Sequence, residues 1–143
     1  KIPIPATGGY IHPGDGVVLL CGLLLGPIYG PLAAGLGSML ADLFSGYVVY
    51  APATFIIKAL TAAAASLLFP LFIRKSGIIN HRVALGIAGG ISELLMVSGY
   101  FIFETFLLNA GAAAAGISAN LIQGVFGIIL VEVLYPLLNI NKE

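Results

Sequence analysis

Charge is what this sequence has least of. Six Lys and Arg and six Asp and Glu make up only 8% of 143 residues, with a formal net charge of zero. A water-soluble domain carries roughly 25% charged residues, because its surface has to face water. A chain this poor in charge cannot coat a soluble fold. Its neutral balance also removes the basic surface that nucleic-acid binding requires, so no nucleic-acid partner is expected. Cysteine is nearly absent: Cys21 stands alone inside an apolar run, which excludes a disulfide and a cysteine-based metal site. No secretory signal pattern is present. Catalytic signatures are missing too, with no GxxxxGK[ST], GxSxG or HExxH. No nucleophile, base and oxyanion set can be assembled from this inventory, so the chain does not read as an enzyme, and no cofactor is expected. Any ATP-driven step would need an ATPase on another chain.

What is present is apolar. Hydrophobic residues make up 59% of the chain and mean hydropathy is +1.08. Uncharged runs extend from Gly16 to Ala41, Leu43 to Ile57, Ala59 to Ile73 and Thr105 to Val131, with two shorter runs flanking Glu93. A membrane-spanning helix needs about 20 mostly apolar residues. The first run is too short for two full spans, yet Gly26-Pro27 and Gly30-Pro31 break it near its middle. The pattern predicts helices at about 15–26, 30–46, 52–74, 82–108 and 114–138. The expected fold is therefore an all-α, polytopic membrane helix bundle of five helices, one integral membrane domain over residues 1–143. Small residues at four-residue spacing, Gly26/Gly30, Gly86/Gly90, Ala33/Gly37 and Ala62/Ser66, suit close helix packing in lipid.

The remaining cations set an orientation. Arg74, Lys75 and Arg82 cluster between the third and fourth helices, and Lys142 follows the fifth. Lys and Arg favour the cytoplasmic side. That places the 75–82 loop and the C-terminus inside, and the loops at 8–15, 46–52 and 108–114 outside. The opening KIPIPATGG reads as the continuation of an upstream segment, and an outward N-terminus fits an additional helix ahead of it.

Ionisable residues within apolar spans are functional candidates by default, because each costs free energy unless paired or hydrated. Asp42 and Lys58, opposite in sign and near the outer ends of adjacent helices, form a candidate structural ion pair; the alternative turns Lys58 toward a ligand. Thr54, Lys58, Thr61 and Ala65 share one helix face, as do Glu93, Val97, Tyr100 and Glu104. Glu93 points inward, either as a ligand contact or as a neutral core acid. Gly116, Asn120, Gln123 and Gly127 form a third stripe, whose amides can both donate and accept toward a heteroaromatic ring or toward neighbouring helices. Tyr10, His12, Tyr47 and Tyr50 occupy the outward loops, as interface anchors or as a lid over a pocket. His12 and Asp15 are spaced to share a metal but have no third ligand nearby, so no metal site is expected. Asp15 reads instead as a cap for the helix starting at Gly16.

The stretch YIHPGD followed by GLLLGPIYGPLAAGLGSMLADLFSGYVVYAPATFIIKAL resembles the substrate-binding (S) component of energy-coupling factor (ECF) vitamin transporters. It is most similar to the subgroup associated with hydroxymethylpyrimidine or pyridoxine, itself akin to the riboflavin S components. The resemblance is densest from Gly8 to Ala62. It implies a six-helix protein of the bacterial cell membrane, whose first helix would lie ahead of this chain. It implies a vitamin or vitamin precursor bound near the outer face, under loops that fall here at 8–15, 46–52 and 108–114. It further implies docking on a transmembrane coupling subunit driven by two cytoplasmic ATPases, in an ABC-type uptake complex. Within such a pocket, Asn120 and Gln123 would bond the ring, Tyr100 or a loop tyrosine would stack on it, and Lys58 and Glu93 would supply charged or hydroxyl contacts. Two readings of other classes stand beside it. One is a membrane assembly subunit with no small-molecule site. The other is an autonomous ion-coupled transporter using Glu93 and Asp42, although no internal repeat of the kind such carriers use is visible.

Overall fold

A computed structural model of the chain describes residues 2–4, 9–11, 13–76 and 80–139. Two three-residue strands, β1 (Ile2–Ile4) and β2 (Gly9–Ile11), pair antiparallel with Ile2 opposite Ile11. Four helices follow: α1 (Gly14–Ser45), α2 (Ala51–Ser76), α3 (His81–Leu107) and α4 (Ala110–Asn139). All four are long and apolar enough to cross a membrane. The last three fall where the uncharged runs predict them. The count of continuous helical stretches is four rather than five, because the two segments expected at 15–26 and 30–46 follow each other in α1 with no loop between them, as two arms that meet at Gly26. The structure gives no support to a sixth helix: ahead of α1, the described residues form the β1–β2 hairpin.

The joining of those segments does not make α1 straight. Gly26 has φ 79° and ψ −173°, a left-handed conformation that L side chains rarely adopt. Pro27 then restarts the helix, where its missing N–H costs nothing. A Cβ placed on Gly30 would lie 2.5 Å from the Cys21 carbonyl oxygen. Nine residues of straight helix would separate those positions by about 13 Å. The chain therefore folds back at Gly26, and Val18 of the first arm packs with Ala34 of the second and Ala62 of α2. Of the two expected breaks, Gly26-Pro27 is the real one, with Gly26 the single non-helical residue, and Gly30-Pro31 lies within the second arm.

Caps explain the other boundaries. At Gly46 (φ 87°), the Gly46 N–H reaches Leu43 O at 3.3 Å and the Tyr47 N–H reaches Asp42 O at 2.9 Å. This paired closure ends α1 through a left-handed glycine. Asn80 Oδ1 accepts from Arg82 N at 3.2 Å to start α3. Asn109 Oδ1 accepts from Ala112 N at 2.9 Å, which starts α4 at Ala110 rather than near 114.

The apolar core draws on every helix: Leu19 and Leu20 of α1, Ala65 and Phe69 of α2, Ala84, Leu85 and Ala88 of α3, and Val131 of α4. It occupies the half of the bundle nearer the α2–α3 connection. Outward faces carry Ile28, Tyr29, Phe44 and Phe106, from 68% to 87% exposed, a surface suited to lipid rather than water. Of the small-residue pairs, Ala62 is fully buried against Gly22 of α1. Gly37 and Gly90 have nothing within 4 Å of a Cβ and pack no helix within this chain.

Candidate functional site

The half of the bundle away from the core holds an open cavity of about 800 Å³. Both arms of α1, the 47–50 turn and helices α2, α3 and α4 wall it. Its floor is a polar knot. Asp15, one residue into α1, is completely buried, and its two carboxylate oxygens go to different helices. Lys58 of α2 pairs with Oδ1, and Gln123 of α4 donates its Nε2–H to Oδ2 at 2.6 Å. Lys58 is 4% exposed, and its ammonium lies 5.4 Å from the centre of the Tyr100 ring on α3. That is a cation–π distance. The Tyr100 hydroxyl in turn donates to Thr54 Oγ1 at 3.1 Å. The knot thus ties all four helices at one level.

Depth explains how Asp15 reaches Lys58. Lys58 lies about 10 Å along α2 from its start. The first arm of α1 therefore begins inside the bundle and not at its end. α4 can close on that buried start because Gly127 has no side chain. A Cβ there would come within 3.0 Å of both Asp15 Cβ and Gly16 N. Gly127, placed by its periodicity on the polar stripe, is thus a packing residue for Asp15.

The cavity collects most of the expected residues and reassigns others. Lys58, Tyr100, Asn120, Gln123, Tyr47 and Tyr50 all line it. The expected Asp42–Lys58 pair does not form: Asp42 also lines the cavity, while Lys58 pairs with Asp15. Asp15 is consequently not a helix cap; the cap position is Pro13, and no side chain bonds there. Glu93 does point inward and is 4% exposed, but it is not part of the cavity wall. Its carboxyl sits against Gly124 of α4, and neither oxygen has a hydrogen-bond partner among the described residues. Thr61 and Ala65 turn into the core, with Thr61 Oγ1 donating to Ile57 O at 2.8 Å. The Tyr10 side chain and His12 lie outside the described residues.

At the mouth, Tyr50 stacks edge-on against Tyr47 and Phe103, with ring centres 6.2 Å and 5.4 Å away. Burial, the nearby Glu104 carboxylate and Tyr47 all push the Tyr50 phenol above its ordinary range, so it stays protonated at physiological pH. Glu104 also lines the mouth near this cluster, with its carboxylate set against Gly116. Among the described residues, no three His, Cys, Asp or Glu side chains gather closely enough to hold a metal.

Four spanning-capable helices around a ligand-sized cavity, with convergent polar groups on its floor, are the frame of a multi-pass membrane protein. A model of the ECF-type riboflavin transporter S component family matches residues 1–141, and the chain belongs to that family. A protein of Pyrococcus woesei named only as an uncharacterized protein in a gap 3′ region is 36% identical over 132 residues, covering 91% of this chain and 82% of that protein. No solved structure matches the chain.

Proposed function

We propose that the chain captures a heteroaromatic vitamin in the cavity above the Asp15–Lys58–Gln123 knot and presents it to an ECF coupling module for uptake. The observation that carries this reading is the cavity itself. An assembly subunit would have its polar stripes bonded to one another with no space left between them; here Lys58, Gln123 and Tyr100 are bonded across helices, yet together with Asn120 they border about 800 Å³ of space. That is within the usual range of roughly 300–1,000 Å³ for small-molecule pockets. Asn120 and Gln123 bond the ring of the ligand, Tyr100 or Tyr50 stacks on it, and Lys58 donates to an acceptor. The knot holds these side chains in place before the ligand arrives, so little ordering cost falls on binding.

Riboflavin is the first candidate, supported by the family match and by a volume generous for a single ring. Hydroxymethylpyrimidine and pyridoxine are the second, supported by the resemblance of the segment from Gly8 to Ala62. The mouth faces outward in this reading, with Arg74 and Arg82 at the opposite, cytoplasmic end. Transport energy comes from partner ATPases. Native mass spectrometry of the full chain in detergent, against riboflavin, hydroxymethylpyrimidine, pyridoxine, thiamine, folate and pantothenate, tests the proposal. Tight one-to-one binding of one compound supports it, and no binding to any overturns it.

A further inference from the structure

The charges around the cavity are lopsided. Among the described residues, its wall carries three carboxylates, Asp15, Asp42 and Glu104, and one cation, Lys58. Asp15 and Lys58 neutralise each other in a buried pair. Asp42 and Glu104, both half-buried at the mouth, are in no ion pair with a described residue. Among the described residues, the one lysine on the wall is thus already matched, and the entrance carries two carboxylates in no ion pair. Glu104 is held in that position by construction. A Cβ on Gly116 would come within 2.7 Å of its Oε2, so the glycine makes room for the carboxylate against α4. A cavity with low-dielectric walls and one sign of charge at its mouth focuses that field on whatever enters.

We infer that Asp42 and Glu104 determine specificity by charge: the site takes ligands whose outer end is neutral or cationic and rejects those bearing phosphate or carboxylate. The inference rests on the proposed vitamin-capture function and narrows its ligand class. Hydroxyl or amino groups on the outer part of the ligand donate to the two carboxylates, while the ring lies inward against Asn120 and Gln123. A phosphate ester of the same compound would place its dianion beside Asp42 and Glu104, where no described residue of the wall offers a free cation.

Matched pairs differing only in that group test the idea: riboflavin with riboflavin 5′-phosphate, pyridoxine with pyridoxine 5′-phosphate, and thiamine with thiamine monophosphate. Each is titrated calorimetrically into the full chain in detergent, at low and at high salt. The alcohol of the accepted pair should bind at least about tenfold more tightly than its ester at low salt, the scale set by two unit charges at close range. High salt should shrink that ratio by screening. The double variant Asp42→Asn/Glu104→Gln should shrink it by about threefold or more, because repulsion falls with the charges removed. A ratio near one in the native protein, or one unchanged in the double variant, overturns the charge filter while leaving vitamin capture intact. Binding of none of the six compounds, and of none of hydroxymethylpyrimidine, folate and pantothenate, overturns both, whereas binding of a carboxylate-bearing vitamin alone overturns the charge filter.

Discussion

Lys58 of α2 and Asp15 of α1, 43 positions apart in sequence, form a buried ion pair on the floor of the cavity. The pair is completed by Gln123 on the remaining carboxylate oxygen and by the Tyr100 ring over the ammonium. Removing one member of a buried pair strands the other charge, which typically costs about 3–5 kcal/mol. Asp15→Ala should therefore lower the unfolding midpoint in detergent sharply, and Asp15→Ala/Lys58→Met should recover part of the loss. Thermal unfolding of the single and double variants checks this. A double variant no more stable than Asp15→Ala would show that the ion pair is not the reason Asp15 is needed.

Gly127 is the second structural requirement. Gly127→Ala brings a methyl group against Asp15 and the backbone of Gly16, where neither neighbour can retreat easily. Overpacking of this kind costs about 1–3 kcal/mol. Gly90→Ala is the matched control, since nothing lies within 4 Å of its Cβ. Alanine there should be neutral or slightly stabilising, because it reduces unfolded-chain freedom in a helix interior. Equal midpoints for the two variants would contradict the close approach of α4 to the start of α1.

Tyr100 has two separable contacts. Tyr100→Phe keeps the ring over Lys58 and loses only the bond to Thr54, a change of about 1 kcal/mol. Tyr100→Leu loses both. The leucine variant should be clearly less stable than the phenylalanine variant in the same unfolding assay; equal losses would mean the cation–π contact contributes nothing.

Glu93 separates wall from interior. It is buried outside the cavity against Gly124, so Glu93→Gln should leave ligand affinity within about twofold, no cavity contact being lost. Calorimetric titration of the variant measures this, and a loss of tenfold or more would place Glu93 in contact with the ligand.

Much of this architecture is legible in the residues, and the gaps have physical reasons. Uncharged runs locate α2, α3 and α4 within a few residues, because lipid demands apolar length, whereas the cap at Asn109, absent from that reading, moves the start of α4 to Ala110. The break at Gly26-Pro27 is local too. What it does to α1 is not. Whether a glycine bends a helix gently or reverses it depends on the partners waiting at Gly22, Val18 and Ala34. The wrong partner for Lys58 follows from that. Asp42 is nearer in sequence and sits near a helix end, whereas Asp15 reaches Lys58 only because the first arm starts about 10 Å inside the bundle. Helix periodicity puts Lys58, Tyr100, Asn120 and Gln123 on the faces that line the cavity. It cannot say how far along each face the cavity extends, which is why Thr61, Ala65 and Glu93 belong to the interior.

The most direct test of the central claim is calorimetric titration of riboflavin, and then of hydroxymethylpyrimidine and pyridoxine, into the native chain, Asn120→Ala and Gln123→Ala. The account predicts one-to-one binding of one compound and a loss of about tenfold or more in each variant, the scale of one ring hydrogen bond in a dry site. Gln123→Ala should also lose stability through the unpaired Asp15 oxygen, whereas Asn120→Ala should not. Affinity within twofold of native in both variants would contradict a ligand seated above the Asp15–Lys58–Gln123 knot.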